Sequence, residues 1–189
     1  MPMPERTDEE IAIEVQKGDA ELFRVLIERY EPKMARYAKR FLFATDDAKD
    51  LLQEVFIKAY VNIRSFDATR RFSPWIYRIA HNEFVNALKK KTKERNNVSL
   101  LYVDVLFPHP IAKESADEGS SNREMKEILE GSLDKLSAKY REPLILYYLE
   151  DMDYKEIAEV LHIPVSTVGV RLQRGKALLR TLVKNDERS

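Results

Sequence analysis

No segment of this chain sustains a convincing alternation of apolar and polar residues with a period of two. Apolar side chains return instead every three or four residues, in segment after segment. That spacing lines one face of a helix, not one face of a strand. Ala, Leu, Glu, Lys and Arg, all strong helix formers, dominate the 189 residues, and only five are glycine. The expectation is an all-α chain.

Its punctuation divides it further. Thr7-Asp8-Glu9-Glu10 fits a capping box that starts a helix at Asp8, with Ile11 and Val15 on one face. Lys17-Gly18-Asp19 supplies a stop and a fresh cap, and Leu22, Val25 and Leu26 continue with helical spacing. Glu31-Pro32 predicts a break, because proline has no N–H to give a helix interior. Met34, Tyr37, Ala38 and Phe41 form the next stripe. Thr45-Asp46-Asp47 reads as an N-cap ahead of Leu51, Leu52, Val55, Phe56, Ala59 and Tyr60. A loop covers 64–72. Ser73-Pro74 then predicts a helix start, Ser as cap and Pro at the first helical position. The periodicity fails over 95–122, where Asn96-Asn97, Pro108, Pro110, Gly119 and Ser120-Ser121 cluster, and resumes with Met125, Ile128, Leu129, Leu133 and Leu136. Pro143 predicts a nearby helix start, followed by a buried run over 144–149. The result is two small helical domains, 9–95 and 123–184, joined by a flexible linker, 96–122.

Composition excludes several classes of function. There is no cysteine, hence no disulfide, thiolate zinc site or cysteine nucleophile. The opening MPMPERTDEE lacks the apolar core of a signal peptide, and no run approaches the ~18 apolar residues of a membrane span. A soluble cytoplasmic protein without membrane insertion is expected. His81, His109 and His162 are the only histidines; they form no HExxH, and no glycine-rich phosphate loop is present. No catalytic residue, metal site or cofactor is expected. Net charge is zero, yet 61–95 holds nine basic residues against three acidic ones, and 171–189 holds six against two. Two basic patches between acidic segments suggest two contacts with a polyanion, solvated helix faces being the competing explanation.

Three segments fit such contacts. Residues 154–161, YKEIAEVL, place Ile157, Ala158 and Leu161 on one face; the turn His162-Ile163-Pro164-Val165 buries Ile163 and Val165; Ser166 caps the next helix, whose Val168 and Leu172 pack back. This is a helix-turn-helix pattern. Its second helix would expose Ser166, Thr167, Gly169, Val170, Arg171, Gln173 and Arg174 and offer its N-terminal residues to the major groove, where Arg pairs with guanine and Gln with adenine; an ordinary helical hairpin is the competing explanation. In 66–93, Phe66, Phe72, Trp75, Tyr77 and Phe84 interleave with Arg70, Arg71, Arg78 and a lysine run. Rings beside cations suit unpaired bases, and core packing is the competing explanation. Lastly, Asp50, Gln53, Glu54 and Lys58 share one polar helix face, which taken alone reads as a solvated face.

Residues 47–60, DAKDLLQEVFIKAY, then 72–82, FSPWIYRIAHN, then 154–161 with 164–168, PVSTV, together resemble the extracytoplasmic-function sigma factors of the sigma-70 family. The resemblance implies a promoter-recognition subunit of RNA polymerase. Asp50, Gln53 and Glu54 would dock on the clamp helices of the polymerase beta-prime subunit. Phe66, Asp67, Arg70, Arg71, Phe72, Asn82 and Asn86 would capture bases of the melted minus-ten element. The helix-turn-helix residues would read the minus-thirty-five element, with the linker threading toward the RNA-exit and active-site channels. The family commonly works with an anti-sigma factor, and one is expected here. Gly169-Val170 departs from the pattern, which usually has Lys or Arg and then Ser or Thr; Gly175 stands where Ala is usual, and Ser137 where Pro is common. Two other classes compete: a duplex-binding repressor or activator whose N-terminal half dimerises or senses, which would not need the Asp50–Glu54 face, and an enzyme, for which the chain offers no constellation.

Overall fold

The computed structural model describes residues 6–41, 45–94 and 131–186. The expected linker and the Met125, Ile128, Leu129 stripe lie outside the described residues. Every regular element among the described residues is helical. The chain divides into two compact units, one dominated by residues up to Lys91, the other by those from Thr92 onward.

Helix α1 (Asp8–Lys17) starts with the expected capping box: the Thr7 hydroxyl accepts the Glu10 N–H at 3.2 Å, and the Glu10 carboxylate accepts the Thr7 N–H at 2.9 Å. Gly18 ends it at φ 118°, a left-handed conformation that only glycine adopts without strain. Asp19 does not make the fresh cap expected of it; its side chain caps nothing at the single 3-10 turn Ala20–Leu22.

Helix α2 (Phe23–Phe41) runs straight through Pro32, where a break is expected. Pro32 sits on the solvent side, so the carbonyl it leaves unbonded can take water. The opposite face buries Leu26, Tyr30, Met34, Tyr37 and Ala38. At about 1.5–3 kcal/mol for a large apolar side chain, that burial outweighs the ~3 kcal/mol penalty of an interior proline.

Helix α3 (Thr45–Asn62) packs on α2 and ends in a 3-10 turn, Ile63–Ser65. Helix α4 (Phe72–Glu94) begins one residue ahead of the expected Ser73 cap. Its first N–H, that of Phe72, is accepted at 2.8 Å by the Glu9 carboxylate from α1. Pro74 still falls in the first turn, where an N–H is not required.

In the second unit, 131–134 is helical and is followed by α5 (Ala138–Tyr148), α6 (Tyr154–Leu161) and α7 (Val165–Asp186). Pro143 lies inside α5 rather than near its start, and only part of 144–149 is buried. Leu144, Ile145 and Leu146 are covered, whereas Tyr147, Tyr148 and Leu149 are exposed.

Candidate nucleic-acid interface

Asp50, Gln53 and Glu54 are all exposed on α3, whose opposite face buries Leu52, Val55, Phe56 and Ala59. Two residues not singled out from the sequence extend the exposed stripe. Ile57 and Val61 follow Glu54 at helical spacing and are 56% and 71% exposed. Spacing from Asp50 alone would have found them. Lys58 turns aside to pair with Glu83 of α4 at 2.5 Å.

In the loop between Ile63–Ser65 and α4, and in α4 itself, the structure favours core packing over a stacking surface for the rings. Phe66 and Phe72, along with Trp75, Tyr77 and Phe84, are buried, so the rings are core and not a stacking surface for bases. Phe66 meets Phe72 edge-on at 5.3 Å and Trp75 at 5.4 Å, and Phe72 meets Tyr30 at 5.4 Å. Rings of this size remove the most apolar area from water when they nest against one another. What remains exposed is polar: Asp67, Thr69, Arg70 and Arg71. The Asp67 carboxylate accepts the Thr69 N–H at 3.0 Å and its hydroxyl at 2.8 Å, and the Arg70 N–H bonds the Asp67 carbonyl at 3.0 Å. Those Thr69 bonds, helped by the Arg70 charge, hold the Asp67 carboxyl below its usual range, so it is ionised and the turn is set at neutral pH.

Both ends of this loop touch α1. The Gln16 side-chain amide donates to the carbonyls of Ile63 and Phe66 at 2.7 and 2.8 Å, and Glu9 takes the Phe72 N–H. The N-terminus of α1 is itself anchored. Asp8 accepts from Arg29 at 2.6 Å and from the Tyr30 hydroxyl at 2.7 Å. Burial and then the Asp8 carboxylate push the Tyr30 hydroxyl far above its usual value, which keeps it a donor. On α4, Arg78 and Asn82 are half-buried and Asn86 is exposed, each four residues from the next and so in one row.

In the second unit, Asp153 caps α6 through bonds from the N–H groups of Lys155 and Glu156 at 2.7 and 2.8 Å, and Glu156 returns the box to Asp153. His162 closes α6 in the left-handed region, at φ 53°, and the Ile163 N–H reaches back to the Ala158 carbonyl at 3.1 Å. Helix α7 starts at Val165, and the Pro164 carbonyl accepts from Thr167 at 2.9 Å. Ser166 therefore lies in the first turn and is not its cap; Val165 is exposed and Ile163 half-buried, because the backbone bonds, not those side chains, hold the turn. Val168 and Leu172 face the core, while Ser166, Gln173 and Arg174 are exposed and Thr167 and Arg171 half-exposed. Val170, 47% exposed, shares the outer face with Ser166 and Arg174. A cluster of Tyr147, Tyr148 and Tyr154 lies exposed in this unit, Lys176 standing over the Tyr148 ring at 5.5 Å. A helix-turn-helix with a polar, partly basic outer face on its second helix is the arrangement that enters a major groove.

Comparison with known proteins agrees. The models of Sigma-70 region 2 and of Sigma-70, region 4 match residues 26–94 and 126–179. The chain is 33% identical over 184 residues to the ECF RNA polymerase sigma factor SigW of Bacillus subtilis, covering 91% of this chain and 94% of that protein. It is 30% identical over 182 residues to the ECF RNA polymerase sigma-E factor of Haemophilus influenzae, covering 94% and 96%. A solved structure of the sigma factor RpoE in complex with the anti-sigma factor NepR from Bartonella quintana matches with a TM-score of 0.68 and 26% identity, over 86% of this chain and 96% of that one. Fold and matches together define a promoter-recognition subunit of RNA polymerase, an initiation factor and not an enzyme. The chain belongs to the extracytoplasmic-function sigma factors of the sigma-70 family: it binds the polymerase core and promoter DNA and directs transcription initiation, a task performed on polymerase inside the cell. Among the described residues no helix is long and apolar enough to cross a membrane.

Proposed function

We propose how the labour divides. Residues 9–95 bind the core and the minus-ten element and aid melting, 123–184 bind the minus-thirty-five element, and 96–122 link them. Asp50, Gln53 and Glu54 dock on the beta-prime clamp helices, with Ile57 and Val61 extending the contact into apolar ground. Asp67, Arg70, Arg71, Asn82 and Asn86 meet the melted strand, and buried Phe66 and Phe72 shape the loop that presents them. Ser166, Thr167, Arg171, Gln173 and Arg174 face the duplex. The protein works in the cytoplasm, and an anti-sigma factor holds it inactive; the RpoE relative bound to NepR supports that partner.

The observation that carries the docking assignment is the α3 stripe, solvent-facing and mixed acidic and apolar along its described length, back to back with a closed core. Replacing Asp50 and Glu54 together by Ala should weaken capture of polymerase core on the order of tenfold, at an unchanged melting temperature, because exposed interface charges act on association more than on folding. Undiminished pull-down of core by the double variant would remove the assignment.

A further inference from the structure

Helix α1 lies ahead of the residues 26–94 that the Sigma-70 region 2 model matches. Its half-buried Glu9 and Gln16 stand seven residues apart, about 10 Å along the helix axis and on the same side. Between them they hold both ends of the loop that follows α3: Gln16 bonds the Ile63 and Phe66 carbonyls where the loop begins, and Glu9 bonds the Phe72 N–H where it ends. We propose that Gln16 and Glu9 are positioning residues for base selection, α1 acting as a brace that fixes the span of the minus-ten loop. The inference rests on reading 66–72 as the loop that meets the melted strand.

The physical need is plain. A base leaves its stack at a free-energy penalty, and a site that must also order itself to receive it recovers less. The internal turn at Asp67 sets the middle of the loop, but a turn alone leaves its two ends free to slide. One donor group shared by two carbonyls and one carboxylate on a helix-initial N–H remove that freedom. The brace has attachments away from the loop: it packs on α2, and Asp8 bonds Arg29 and Tyr30 of that helix. Loss of Gln16 or Glu9 therefore loosens the loop without releasing α1.

The test uses holoenzyme assembled from the full chain and polymerase core. A randomised pool of single-stranded hexanucleotides yields the preferred sequence, and its single-base variants measure discrimination. Gln16→Met keeps the volume and loses the donors; Glu9→Ala loses the acceptor, and Glu9→Gln keeps one. Gln16→Met and Glu9→Ala should each reduce discrimination between preferred and altered bases by about tenfold, the scale of a lost bond to a charged or doubly used group. Glu9→Gln should discriminate like wild type, and binding to core and to duplex should not change. Retained discrimination in Gln16→Met, or an equal loss of core, duplex and strand binding with a lowered melting temperature, overturns the proposal. If wild-type holoenzyme shows no base preference, the loop reading itself fails; if Asn82→Ala abolishes the preference while Gln16→Met preserves it, only the brace fails.

Discussion

In the first unit, helices are spaced by rings: Tyr37 lies 5.1 Å from Tyr77 and 5.6 Å from Phe84, and Phe72 is enclosed by Tyr30, Phe66 and Trp75. In the second, aliphatic side chains fill the core and two backbones close on each other, a Cβ added at Gly175 of α7 falling 3.1 Å from both the Tyr140 carbonyl oxygen and a Leu144 methyl of α5. The loop of the first unit is tied to groups 47, 50 and 63 residues away in sequence, while the turn of the second is made by bonds within a few residues of itself. One segment is thus held locally, by bonds within its own turn, and the other remotely, by side chains of α1. The remote design demands a well-filled aromatic core behind it.

The largest expected effect breaks the ring core. Phe72→Ala should lower stability of the first unit by about 3–5 kcal/mol, a large share of the 5–15 kcal/mol available to a typical domain. Calorimetry of the full chain should show the transition of the first unit shifted down and that of the second unmoved. Loss of DNA binding at an unmoved transition would instead return Phe72 to the surface role that the sequence suggests.

The second effect concerns the proposed duplex contacts of the second unit. Arg174 is exposed and Arg171 half-exposed on the outer side of α7. If one of them holds a phosphate, replacing it by Ala should flatten the log–log salt dependence of duplex binding by roughly 0.9; if it reads a base, the loss should be about 1–3 kcal/mol at one position. Titration of promoter fragments across a salt series separates the two outcomes, and no loss for either variant would refute both.

The smallest effects set the two glycines of α7 against each other. A Cβ at Gly169 meets only Tyr154 Cε2, at the ordinary contact distance of 3.6 Å, so Gly169→Ala should stabilise by roughly 0.5–1 kcal/mol through helix propensity. Gly175→Ala must push the Tyr140 carbonyl and should destabilise by about 1 kcal/mol net. Thermal denaturation with opposite signs for the pair confirms close packing at one site and open space at the other.

This contrast also explains what was legible in the sequence. The helical class, the capping box at Thr7, the glycine stop at Gly18 and the helix-turn-helix follow from local chemistry, and sequence carries local chemistry directly. Pro32 and Pro143 mislead because their penalties are local while the burial that overrides them is tertiary. The aromatic and basic block misleads for a similar reason: alternation of rings and cations has the same composition whether the rings face bases or one another. Nothing near Gln16 or Glu9 announces a loop partner fifty or sixty residues away. Ser73 looks like a cap until Glu9 is seen to occupy that role.

On the proposed reading, polar side chains presented by the 66–72 loop and by α4 over a ring core read the melted strand. Asn82, half-buried in the row with Arg78 and Asn86, offers both a donor and an acceptor to a base edge. The direct measurement is permanganate reactivity of promoter thymines with polymerase core and Asn82→Ala, alongside its melting temperature. Reduced reactivity at an unchanged melting temperature is the predicted result. Normal reactivity, or a defect fully rescued by a pre-melted promoter of any bubble sequence, would contradict it.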